Sequence, residues 1–209
     1  KACQRMMPDL NRPLQIAPDC QLIDWSINQP LPTSERADHS APSLAAAIGN
    51  FDGVHLGHRK LIAGACSHGD GLIPSVITFH PHPRRYFQPD LPGFALADDT
   101  DKLALLSDAG VRRIIRLEFD DAMRQTTAHD FVSRILPALG VRALYAGADF
   151  AFGKQRSGNM DMIRENGRQY GIDAHTVALE SDEDAIISSS RIRAAIARAD
   201  MAEAARMLG

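Results

Sequence analysis

From about residue 44 to the last residue, short apolar β-rich runs alternate with segments of helical period, and that alternation constrains the fold more than any other feature. The β-rich runs are Ala45–Gly49, Ser75–Phe79, Arg113–Leu117, Ala143–Ala146 and Ala174–Leu179. Gly57–Ser67 reads as a helix with Leu61, Ile62 and Ala65 on one face. Asp101–Ala109 reads as another, with Leu103 and Leu106 inward and Gly110 as its stop. Thr127-Ala-His-Asp130 is a variant capping box ahead of Phe131, Val132, Ile135, Leu136 and Leu139, and Gly140 ends that helix. Met160–Tyr170 follows, halted by Gly171. Ser190 is expected to cap a helix with Ile192 and Ile196 on its apolar side, and Asp200-Met-Ala-Glu203 to open a last one. His80–Asp99, with four prolines, reads as a long loop. Strands separated by helices pair in parallel, because the helix supplies the crossover. The expected fold class is α/β: a doubly wound parallel sheet with helices on both faces. Ligands of such sheets sit beyond the carboxyl ends of the strands. The loops after Ile48, Phe79, Tyr145 and Leu179 should therefore converge.

Residues 1–43 are less regular. Gln21–Ser26 has the character of a short strand, and Asn28–Pro42 is rich in Pro, Ser and charge. The expected division is an N-terminal extension, 1–43, with an edge strand, and a main domain, 44–209. A net charge of −3 argues against a general nucleic-acid binder. No apolar run approaches the roughly 18–20 residues of a membrane span, and residues 1–15 lack a signal-peptide pattern. Cys3, Cys20 and Cys66 form neither a CxxC pair nor a zinc spacing and read as reduced thiols. A cytoplasmic protein without membrane or nucleic-acid partners is the expectation.

Ala47-Ile-Gly-Asn-Phe-Asp-Gly-Val-His-Leu-Gly-His58 is a strand, a tight turn and a helix start. Gly57 removes a side chain where a ligand can approach the backbone. The helix start offers free N–H groups, and His55 and His58, three apart, face one side. Together they make a phosphate site with two tunable cations. Two plainer readings are a metal pair with Asp52 and ordinary helix-start residues. A P-loop is excluded: five residues separate Gly147 from Gly153-Lys154, and Gln155 follows. Ile187-Ser-Ser-Ser-Arg-Ile-Arg193 is a second anion corner, with hydroxyls and two guanidiniums at a helix start, or else a plain serine cap with solvated arginines. Thr78-Phe-His-Pro-His-Pro83 and Gly147-Ala-Asp-Phe-Ala-Phe-Gly153 each follow a strand and carry flat side chains; the first reads also as a plain rigid turn with a core Phe, and Phe150 of the second reads as core.

His55-Leu-Gly-His58 resembles the HxGH signature of the nucleotidyltransferase superfamily. The longer string Ile48–His58 resembles the adenylyltransferase domain of the bacterial bifunctional riboflavin kinase/FAD synthetase family. That family carries ISSTxIR where this chain has Ser190 for Thr, TFxPHP with an acidic residue where His80 stands, and GxDFxFG with Arg frequent at the place of Ala151. The four motifs occur in order across residues 44–209.

The resemblance implies a Rossmann-like nucleotidyltransferase domain that transfers AMP from ATP to FMN, giving FAD and pyrophosphate, with Mg²⁺. It implies His55, His58 and Arg193 as catalytic. Gly49, Asn50, Phe51, Asp52, Gly57, Ser188, Ser189, Ser190 and Arg191 would bind ATP. Phe79, Pro81, His82, Pro83, Asp149 and Phe152 would bind FMN. No residues form a dedicated metal cage; Asn50 and Asp52 are expected as metal-water contacts. The family's riboflavin kinase barrel would begin after Met207-Leu-Gly209 and is absent from residues 44–209; either the full-length chain continues into it or the natural protein lacks it. The competing functions are a related transferase with another phosphorylated acceptor and a non-catalytic flavin- or nucleotide-binding module.

Overall fold

The computed structural model describes residues 15–29, 43–91, 93–183 and 185–209. Six parallel strands form one sheet: β1 Gln21–Trp25, β2 Leu44–Ile48, β3 Ile73–His80, β4 Arg113–Glu118, β5 Val141–Gly147 and β6 Asp173–Val177. Their order is β1-β4-β3-β2-β5-β6. The chain therefore winds one way from β2 to β3 and β4, then the other way to β5 and β6. That reversal opens a crevice past the carboxyl end of β2. In β2, Ala46 stands between Ser75 of β3 and Leu144 of β5. All five β2 residues are buried, as a central strand covered on both faces requires.

Successive side chains of a strand point to opposite faces. Leu44, Ala46 and Ile48 join Ile77, Ile115 and Leu144 in one core, covered by residues 128–138 and Ile163. Ala47, Val76 and Ile114 join the other, covered by α1 (Leu56–Ser67) and α3 (Asp99–Asp108) through Ile62, Ala65, Leu103 and Leu106. A third cluster, with Ile192, Ala195, Ala204 and Met207, holds together the two last helices, α7 (Ser189–Ala197) and α8 (Met201–Leu208).

Several local expectations shift. Within the expected 80–99 loop lies a short helix, α2 (Pro83–Phe87). His82 caps it, its Nδ1 accepting the Arg84 N–H at 3.0 Å, and Pro83 takes the first turn, where its missing N–H costs nothing. Ser188, not Ser190, caps α7, its Oγ accepting the Arg191 N–H at 3.3 Å. Ile196 is 43% exposed rather than inward. Residues 128–138 form one helical stretch, α5, with a widened turn at Phe131–Ile135; α4 (Asp121–Gln125) precedes it, and α6 (Met160–Gly167) follows β5. Among the described residues no helix is long and apolar enough to cross a membrane.

Candidate active site

The turn that leaves β2 is held in an unusual backbone conformation. Phe51, Gly53 and Val54 have φ of 53°, 80° and 41°. Glycine tolerates this; a phenylalanine and a β-branched valine do so at a cost of roughly 1–3 kcal/mol each. Both side chains are fully buried against the α1/α3 core, and that burial offsets the strain. The turn delivers His55 to the N-cap of α1, where its Nδ1 accepts the His58 N–H at 3.4 Å. The two imidazoles stack, with centroids 3.6 Å apart and planes 19° from parallel. Gly57 has a reason the sequence hid: a Cβ there would lie 3.2 Å from Cε1 of His55.

Electrostatics revise the expectation of two cations. Burial drives the His55 pKa down to about 4, against a smaller opposing pull from Asp52. Burial, helped by the neighbouring His55, holds His58 well below the usual range. Both rings are therefore neutral near pH 7. Nδ1 of His58 is buried without a hydrogen-bond partner among the described residues.

The second corner lies against the first. Ser189 Oγ donates to the Asp52 carbonyl at 2.8 Å, across 137 sequence positions. Arg193 Nη1 donates to Asp52 Oδ2 at 2.5 Å, and Asp52 Oδ1 accepts the Leu96 N–H at 2.8 Å. One aspartate thus ties together the turn, the start of α7 and the loop before α3.

These elements frame a cavity of about 920 Å³. Gly49, Asn50, Asp52, His55, Gly57 and His58 line it, joined by Ser188, Ser189, Ser190 and Arg193. Phe79, His82, Pro83, Asp149 and Phe152 line it as well. The four loops expected to converge all contribute. Three expected contacts do not line the cavity. Phe51 is the buried anchor beneath the turn. Pro81 lies outside the lining residues. Arg191 is turned to Asp182 at 2.7 Å and Glu203 at 3.0 Å. His80 also points elsewhere, forming an ion pair with Asp99, which holds Lys102 at 3.2 Å and Arg116 at 3.4 Å.

The sequence missed much of the apolar wall. Phe119, Met123, Phe131 and Phe150 line the cavity together with Phe87 and Phe94. Phe150 stacks on Phe152 at 5.5 Å, and Phe131 meets Phe152 at 5.2 Å. Phe119 directly follows β4, so the rule that sites lie at carboxyl ends of strands could have found it. Phe131 reads as helix core and gives no such signal. Among the described residues no group of three His, Cys, Asp or Glu is arranged to hold a metal.

A doubly wound parallel sheet whose central strand opens onto paired helix starts and an HxGH corner defines a Rossmann-like nucleotidyltransferase fold. Residues 37–191 match the sequence model of the FAD synthetase family, and the chain belongs to that family. The bifunctional riboflavin kinase/FMN adenylyltransferase of Pseudomonas fluorescens is 37% identical over 167 residues, 78% of this chain and 53% of that protein. The FAD synthetase of Listeria monocytogenes is 34% identical over 164 residues, 78% of this chain and 67% of that protein. Among solved structures, one described as a macrolide-efflux protein from Streptococcus pneumoniae superposes with a TM-score of 0.74 at 26% identity, covering 91% of this chain and 62% of that one. The chain spans about half the length of the bifunctional relatives it matches.

Proposed function

We propose that this chain is an FMN adenylyltransferase, moving AMP from ATP to FMN to give FAD and pyrophosphate. The knot at Asp52 carries the reading: it brings two anion-gripping helix starts together over one cavity that aromatic rings also line. A phosphate oxygen of FMN attacks the α-phosphorus of ATP, a new O–P bond forms, and the bond to the β-phosphate oxygen breaks, leaving pyrophosphate with the electron pair. The FMN phosphate is already anionic near neutral pH, so no strong base is needed. The work is positioning and charge stabilisation.

Neutral His55 and His58 serve as hydrogen-bond partners of the α-phosphate; arriving anions favour their protonated forms. Ser188, Ser190 and Arg193 hold the leaving pyrophosphate, with Ser189, whose hydroxyl donates to the Asp52 carbonyl, offering its backbone N–H at the helix start, and with Gly49, Asn50 and Gly57 leaving room for the nucleotide. Arg191, engaged with Asp182 and Glu203, supports that corner from behind, and Phe51 supports the turn. Phe79, His82, Pro83, Asp149 and Phe152 face the flavin, and a ring stacked on it is worth roughly 1–3 kcal/mol. Mg²⁺ would be held chiefly by the substrate phosphates and water, with Asn50 and Asp52 as contacts to that water, and would neutralise phosphate charge.

This reading includes a cytoplasmic enzyme with small-molecule partners. It does not include the riboflavin kinase activity named in the bifunctional relatives. Incubation with FMN, ATP and Mg²⁺, then chromatography, tests it: FAD and pyrophosphate are the expected products. Product from a different phosphorylated acceptor alone, or flavin binding without pyrophosphate release, overturns it.

A further inference from the structure

Phe94 belongs to none of the four motifs, yet it lines the cavity, 6% exposed in the loop before α3. The guanidinium carbon of Arg193 stands over its ring, 4.4 Å from the centroid, and that of Arg84 at 4.9 Å. His82 meets the ring edge at 4.8 Å. Arg193 belongs to the phosphate corner, whereas Arg84 belongs to the first turn of α2, beside the flavin-facing loop. Both line the cavity.

Two cations drawn together repel each other, so something must hold them. A carboxylate would neutralise what it holds; the negative face of an aromatic ring attracts a guanidinium and leaves its charge and donors free for another anion. Arg193 already shares its charge with Asp52. Arg84 is exposed and makes no ion pair among the described residues, so its guanidinium is available to an anion at this junction. A phosphomonoester whose body lies against the aromatic wall would end here.

We propose that Arg84 binds the phosphate of the acceptor, and that Phe94 is the positioning residue gathering Arg84 and Arg193 around the transferring group. This rests on the FMN adenylyltransferase reading. Flavin-fluorescence titration of the full chain with FMN and with riboflavin tests the first half. Arg84→Gln should weaken FMN by about tenfold and leave riboflavin within about twofold. Equal weakening of both flavins, or of neither, overturns it. Steady-state kinetics test the second half. Phe94→Leu keeps the apolar bulk and removes the π face; it should lower kcat by about tenfold, with Phe94→Tyr recovering most of that rate. Leucine matching the native residue, or tyrosine failing as badly as leucine, overturns the positioning role. Should the leucine variant not fold, Phe94→Met takes its place in the same kinetic comparison, with the same outcomes deciding the positioning role. A native chain that makes no FAD removes the activity reading, while the preference for FMN over riboflavin continues to report on Arg84.

Discussion

Two parts of the cavity lining are built by opposite means. The Asp52 corner is polar and tied to itself: His55 to His58, Ser189 and Arg193 to Asp52. The aromatic part is assembled from rings delivered by six separate elements, Phe79, Phe87, Phe94, Phe119, Phe131 and the Phe150–Phe152 pair, with Phe87 60% exposed. A wall made of mutual hydrogen bonds has one geometry and fails when one member is removed. A wall made of contact area degrades gradually. The first should govern rate and the second affinity.

The severest break should come from Arg193→Ala, which removes a phosphate donor and cuts the tie to Asp52. Loss of a donor aimed at developing charge costs about 10²–10³ in kcat, readable as initial rates of FAD formation with folding checked by circular dichroism. Next comes His58→Ala, with a loss of at least about tenfold, or roughly 1.4 kcal/mol of barrier; unchanged turnover would remove His58 from the chemistry. In the aromatic part, Phe87→Ala should raise the KM for FMN by no more than about threefold and leave kcat alone. A kcat effect from Phe87 equal to that of His58 would erase the contrast.

A separate expectation concerns pH. His55 and His82 have folded pKa values of about 4, both lowered first by burial, against about 6.5 in an unfolded chain. Between these values the unfolded chain binds more protons. Stability should therefore fall as pH drops from about 6.5 toward about 4, and His58, held low by burial and by His55, carries the decline further. Thermal midpoints across that range should show the decline, and His55→Gln should flatten part of it.

The same contrast explains what the sequence disclosed. That the two polar strings would meet was legible because Gly49–His58 and Ser188–Arg193 are contiguous and each stands at a helix start beyond a strand. The β/α alternation was legible because helical and strand periods are local. Arg191 misled: its partners Asp182 and Glu203 come from the preceding loop and from α8, which a string of hydroxyls and arginines does not reveal. Three consecutive serines are equivalent caps on paper, and only the backbone at Ser188, with φ −149° and ψ 154°, selects one. The prolines of the 80–99 segment masked α2, because Pro83 starts a helix as readily as it interrupts one. Phe119, Phe131 and Phe94 stayed hidden because aromatic packing leaves no fixed spacing.

Asp52 makes the HxGH turn and the Ser-Ser-Ser-Arg helix a single mechanical part although the chain writes them far apart. Its backbone carbonyl takes the serine and its carboxylate takes the arginine. Neither string can drift alone through evolution: a change of length or direction in one must be answered in the other, so lineages of this fold should inherit the two as a matched lock and key.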